Sequence, residues 1–227
     1  MGTPAGTSRS DGQTKELRLA VVCYGGSSLA IYMHGVTKEL HRMVKGSALL
    51  QTAEGAGDSA TPSERVYAKL LSELAGQHPE GVRTRVVVDV IAGTSAGGIN
   101  GVCLAKGLAH NLSLDGFRDL WFTRGDIDGL LDAPGFLPRS LKVAWVALRA
   151  LNHAPLHGDL MAQWIYDAFD RMDQAEPNPQ LPTLMPDRHL LELFVTVTNS
   201  SSRCRSGRRE GRLLGSDPCS SMVLKAS

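Results

Sequence analysis

Gly93-Thr94-Ser95-Ala96-Gly97 is the stretch of this chain best suited to covalent chemistry. A G-x-S-x-G pentapeptide is short enough to arise by chance, so its neighbours must carry the claim. A strand has to enter it and a helix has to leave it. Residues 86–92, VVVDVIA, form the clearest strand pattern in the chain and run directly into Gly93. Residues 96–108 are small and apolar, as a buried helix requires. In that setting a sharp turn holds the serine in a strained backbone conformation, with its hydroxyl exposed at the C-terminal edge of the sheet. Gly93 and Gly97 let neighbouring backbone approach closely. The helix N-terminus adds free N–H groups and a favourable dipole, and the Ala96 N–H is placed to face a developing oxyanion. The plainer alternative is a glycine-rich turn in which Ser95 merely caps the helix. A phosphate-binding P-loop is excluded, because no Gly-Lys-Ser/Thr follows at the required spacing.

A second glycine turn lies upstream. Residues 17–24, LRLAVVCY, read as a buried strand that ends at Gly25-Gly26-Ser27-Ser28. Consecutive glycines there expose backbone N–H groups, an anion-binding arrangement. A dinucleotide fingerprint is a poor match, since its three glycine positions are occupied by Gly25, Ser27 and Ala30. Residues 29–44 then take helical spacing. Leu29, Tyr32, Met33, Val36, Leu40 and Met43 share one face, expected to be the buried one, with Lys38, Glu39 and Arg42 opposite.

The remaining elements follow from the same patterns. Residues 45–60 are small and polar and read as a loop. Thr61-Pro62-Ser63-Glu64 is a helix start, with Thr61 as cap, Pro62 at the first helical position and Glu64 completing a capping box. That helix continues to about Gly76. Further helices are expected over 114–122, 139–151 and 159–172, and a third strand over 190–198. Strands alternating with helices predict a three-layer α/β/α fold around a mainly parallel sheet, incomplete at its C-terminal end. Residues 1–16 read as a disordered N-terminus and 17–199 as a partial catalytic domain. Residues 200–227 have few core-forming side chains and read as a low-complexity, disordered tail.

Composition excludes several classes. A hydrophobic fraction of 42% suits a globular core, and a net charge of +1 gives no overall electrostatic case for nucleic acid. Cys23 and Cys103 sit in apolar runs, Cys204 and Cys219 in a polar stretch, and no C-x-x-C pair exists, so neither a disulfide framework nor a metal site is expected. The first sixteen residues lack a signal-peptide apolar core, and no apolar run approaches the roughly 20 residues of a membrane span. The expectation is a cytoplasmic protein, peripheral at membranes, without cofactor.

A glycine turn after the first strand (GGSSLAIYMHGVTKEL), then a later strand entering GTSAGG (DVIAGTSAGGINGVCLAKG), resembles the patatin-like phospholipase family over residues 17–198. The resemblance implies hydrolysis of acyl esters in lipids by a Ser–Asp dyad, on a lipid or membrane-surface substrate. Carried over by position, it makes Ser95 the nucleophile and Gly25, Gly26 and Ser27 donors to the oxyanion. The family's turn is Asp-Gly-Gly-Gly-x-Arg-Gly, and this chain has Tyr24, Ser27, Leu29 and Ala30 at the first, fourth, sixth and seventh of those positions. A hole built from backbone N–H groups tolerates such changes, although the arginine's charge is lost. The resemblance also implies an Asp-Gly-Gly or Asp-Gly-Ala base downstream, and none follows Thr198. Asp11, Asp115 and Asp128 precede glycines but lie in the tail or soon after the elbow, and Asp217 precedes Pro218 in the tail; each reads as a cap, turn or solvated residue. The domain is therefore expected to be truncated or frame-disrupted. Two alternatives accompany the hydrolase reading. One is a silent fragment that keeps a lipid-facing surface as a binding or interaction module. The other is a Ser-His-Asp triad drawing on His153, His157 or His189, with Asp159 and His189 as the formally possible pair and Asp187 too close to His189 to serve.

Overall fold

The structure is a computed structural model. It describes residues 14–52, 60–77, 82–124, 158–174, 181–198 and 219–226, with isolated positions at 138, 141, 145 and 178. The chain divides into two compact units, Met1–Leu112 with Pro177–Ser227, and Ser113–Glu176.

The first unit is built on a four-stranded sheet in the order β1 (Thr14–Cys23), β2 (Arg83–Thr94), β3 (Leu191–Thr198), β4 (Cys219–Ala226). The first three strands are parallel, and β4 pairs antiparallel to β3. The α/β class and the parallel sheet expected from sequence are both present. β1 starts three residues earlier than its apolar run, because Thr14-Lys15-Glu16 pair with Arg83-Thr84-Arg85 although Lys15 and Glu16 are exposed. Along β2, Val86, Val87, Val88 and Ile91 are buried, as a central parallel strand requires. The β1–β2 register slips at Asp89, which has no partner opposite it on β1. β4 falls within the stretch read as a low-complexity tail, and its sequence, CSSMVLKA, gave no alternation from which to predict a strand.

Three helices pack on this sheet: α1 (Ala30–Leu49), α2 (Pro62–Gly76) and α3 (Ala96–His110). The capping box of α2 is formed as predicted. Thr61 N–H donates to Glu64 Oε2 at 2.8 Å, and Glu64 N–H donates to Thr61 Oγ1 at 3.4 Å. Glu64 is buried and is held besides by Lys45 Nζ at 3.4 Å. α1 runs on to Leu49, through residues read as loop, because its last turn is tied to the sheet. β3 pairs with β2 only from Val90 onward, which leaves earlier N–H groups of β2 without a strand on that side. Buried Ser47 fills one of these places, its Oγ accepting from Val86 N–H at 3.0 Å and donating to Val44 O at 2.7 Å.

The buried face of α1 is turned by about 100° from the one its apolar spacing predicts, so that Met33, Leu40 and Met43 of that spacing are only half-buried. Ala30, His34, Thr37, His41, Val44 and Ala48 are buried, whereas Leu29 at the helix start, Tyr32 and Val36 are exposed. The polar members are accommodated by backbone acceptors. Thr37 Oγ1 donates to Met33 O at 3.0 Å or His34 O at 3.1 Å, and His41 Nε2 lies 3.3 Å from Gly107 O of α3. Burial lowers the pKa of His41 from 6.5 to about 4, so the imidazole is neutral at pH 7 and donates from Nε2.

The second unit contains a short helix, α4 (Gly116–Asp119), continued by a π-helical turn at Leu120–Arg124, and α5 (Gly158–Asp173). Fully buried Phe117 packs edge-on against Phe169, with ring centroids 5.3 Å apart. The helix expected over 139–151 lies outside the described residues, two isolated positions apart.

Candidate active site

The two glycine turns meet at one edge of the sheet. Parallel pairing sets Cys23 opposite Gly93, so β1 and β2 end side by side and both turns leave from their C-terminal ends. The backbone at Ser95 has φ 53° and ψ −129°. A non-glycine residue with positive φ is strained, and here it sits between a strand and a buried helix, where a nucleophile elbow needs it. Ser95 occupies the N-cap position of α3 but makes no side-chain capping hydrogen bond, and it is exposed. The capping explanation therefore fails: the hydroxyl makes no bond to the helix end.

Three close backbone approaches build this junction. A Cβ on Gly93 would fall 2.5 Å from Gly97 O, so the strand end and the first turn of α3 touch directly. A Cβ on Gly97 would fall 2.2 Å from Cys23 O, so α3 also touches the end of β1. A Cβ on Gly25 would fall 2.9 Å from Thr94 O and 3.0 Å from the Ser95 Cβ, which sets the upstream turn against the serine. Gly26 has φ 138°, a conformation only glycine takes readily, and its carbonyl accepts from Leu29 N–H at 3.2 Å. Thus Gly25 borders Ser95, with Gly26 next to it in the turn, and Ala96 begins α3 directly after the serine. Ser27 follows in a short 3-10 turn, Ser27–Leu29.

Asn100 ties the two turns together and was not singled out by sequence. It is buried, and its Nδ2 donates to Ala30 O of α1 and to Ala96 O of α3, both at 3.1 Å. One amide thus joins the helix that follows each turn. The sequence signal was a polar residue within the small, apolar first turns of the helix.

The histidine alternatives do not assemble at this edge. His189 Nε2 lies 2.8 Å from Asp89 Oδ1, a close contact without hydrogen-bond alignment, and Arg18 Nη1 lies 3.5 Å from Asp89 Oδ2. Asp89 lies five residues of strand before Thr94, the last residue of β2, about 16 Å at some 3.3 Å per residue. His189 is therefore committed far from the elbow, and the Asp159–His189–Ser95 triad is ruled out for want of reach. Asp115 is exposed and bonded to Ser113 Oγ at 2.9 Å, as a turn residue would be. His153, His157, Asp11, Asp128 and Asp217 lie outside the described residues. Cys23 and Cys103 are buried thiols, whose pKa values burial raises, and serve as small core residues. Among the described residues no group of His, Cys, Asp and Glu could hold a metal ion, and no helix is long and apolar enough to cross a membrane.

Comparison with known proteins places this geometry in context. A family model described as patatin-like phospholipase matches residues 21–212. A Mycobacterium tuberculosis protein described as an uncharacterized membrane protein is 37% identical over 127 residues, a match that covers 53% of this chain and 11% of that protein. The chain thus corresponds to a small part of that relative's length. No solved structure matches.

Proposed function

From the chain's membership of the patatin-like phospholipase family, we propose that it is a lipid acyl hydrolase with Ser95 as nucleophile. The observation that carries this reading is the strained, exposed Ser95 set against the Gly25-Gly26 turn. In the proposed reaction Ser95 Oγ attacks the acyl carbonyl carbon while a general base accepts its proton. The carbonyl oxygen becomes an oxyanion at the junction of the two turns. Backbone N–H groups of Gly25, Gly26, Ser27 and Ala96 are the proposed donors, helped by the positive end of α3. Collapse expels the alcohol and leaves an acyl-serine, which water then hydrolyses. Backbone donors fixed before substrate arrives would need no reorganisation as charge develops.

The general base is not assigned to any described residue. A second reading is a lipid-binding module that meets the same lipid without turning it over. A cytoplasmic protein that meets lipid at a membrane surface fits either reading. Fluorophosphonate labelling mapped by peptide mass, together with p-nitrophenyl and phospholipid ester hydrolysis, separates them. The hydrolase reading expects labelling of Ser95 and turnover that disappears in Ser95→Ala. Labelling of a different serine refutes the nucleophile assignment, and labelling without lipid turnover selects the binding module.

A further inference from the structure

We propose that the outward face at the start of α1, Leu29, Tyr32 and Val36, docks this protein on a neutral lipid surface, with the mouth of the Ser95 site beside it. The inference rests on the lipid-substrate reading above and adds how the substrate is met.

Leu29, Tyr32 and Val36 are spaced i, i+3, i+7 and therefore line one side of the helix. They are 50%, 69% and 51% exposed, and Tyr24, at the entrance to the glycine turn, is 75% exposed. The usual reason for apolar spacing on a helix is burial, yet here the buried face is the one carrying His34, Thr37 and His41. These three apolar side chains are thus left outward, while Met33, Leu40 and Met43 of the same spacing are half-buried.

Two observations select a lipid surface as the occupant. No Asp, Glu, Lys or Arg occurs from Leu19 to Thr37, so pressing this region into an interface desolvates no formal charge. The two tyrosines each present an apolar ring and a polar hydroxyl, which suits the boundary between acyl chains and head groups. Position gives the second argument. Leu29 closes the turn begun by Gly26, and Gly25 lies against Ser95. A protein seated on this stripe would crowd the approach to the serine, whereas a lipid surface brings acyl esters to it.

The test uses the full chain carrying Ser95→Ala, so that binding is read without hydrolysis. Partition onto phosphatidylcholine vesicles is measured by flotation at low and high salt, beside Tyr32→Ser/Val36→Ser and Leu70→Ser/Leu74→Ser in the same background. Leu70 and Leu74 are equally exposed apolar residues on α2 and control for general stickiness. The expected result is salt-independent binding, lost at least tenfold in the α1 variant and kept in the α2 variant, with matched thermal unfolding. Absence of vesicle binding, or equal binding by all three chains, overturns the proposal. So does a dimer in sedimentation velocity that the α1 variant dissociates, which would assign the face to a second copy. Fluorophosphonate labelling of the wild-type chain is scored separately, so docking can fail while the nucleophile assignment stands.

Discussion

Gly97→Ala asks whether the serine site depends on backbone contact between α3 and β1. The added Cβ would lie 2.2 Å from Cys23 O and 2.7 Å from Tyr24 O. That is roughly 1 Å short of an acceptable contact. Neither obstacle is a flexible side chain, so α3 must withdraw from the strand end by a comparable distance. Overpacking of this kind costs about 1–3 kcal/mol. The larger effect is on alignment, because Ser95 rides on the first turn of α3 while the Gly25-Gly26 turn rides on β1. A relative displacement near 1 Å lowers reactivity by about 10²-fold. The assay is the second-order rate of fluorophosphonate labelling at Ser95, measured beside thermal unfolding. Gly35→Ala is the matched control, since nothing lies within 4 Å of its Cβ position and alanine suits a helix interior. It should leave labelling intact and stabilise by about 0.5–1 kcal/mol. Wild-type labelling by Gly97→Ala, or equal damage from Gly35→Ala, would refute the contact argument.

Ser95→Gly should abolish labelling yet raise stability by about 1 kcal/mol, because glycine relieves the strain at φ 53°; a drop in melting temperature would show that the serine is not strained. Asn100→Ala should cost about 1–3 kcal/mol by leaving Ala30 O and Ala96 O without their shared donor. It should also slow labelling more than a surface substitution of equal stability cost, and equal slowing would reduce Asn100 to a packing residue. His41 is neutral when folded, with its pKa lowered to about 4 from 6.5. The unfolded chain therefore takes up a proton between those values that the folded chain refuses. The stability tied to this group is complete above pH 6.5 and falls by about 3 kcal/mol as the pH drops toward 4. Urea unfolding at pH 7 and pH 4.5 should show a smaller loss in His41→Gln than in wild type, and an identical loss would contradict the assignment.

The elbow and the capping box were legible because each is local. A strand, a glycine, a serine and a small-residue helix are contiguous in sequence, and Thr61 with Glu64 satisfies helix-end donors within one turn. α1 was misread for the opposite reason. Its buried His41 and Thr37 are tolerable only because Gly107 O and two carbonyls of α1 itself accept from them, and the cross-helix partner lies 66 residues away. The continuation of α1 through Lys45-Gly46-Ser47 was hidden likewise. Gly46 is needed there because α2 passes so close that a Cβ would fall 2.7 Å from Glu64 O. The Asp89–His189 contact depends on strand register, which no local pattern encodes.

The same distinction explains how the upstream turn can depart from the family pattern at Tyr24, Ser27, Leu29 and Ala30 and still border the serine. What positions the turn is main chain. Gly25 meets Thr94 and Ser95, Gly97 meets Cys23 and Tyr24, and Gly93 meets Gly97. These contacts require the absence of side chains at 25, 93 and 97, and all three positions are glycine. The altered positions lie outside that set, and Ala30 contributes its carbonyl, not its side chain, to the Asn100 bridge. Substitution at 24, 27 or 29 is thus free to reshape the surface around the mouth while the junction beneath it keeps its geometry. Leu29, which stands where the resembled pattern carries an arginine, lies at the edge of the face proposed to meet lipid.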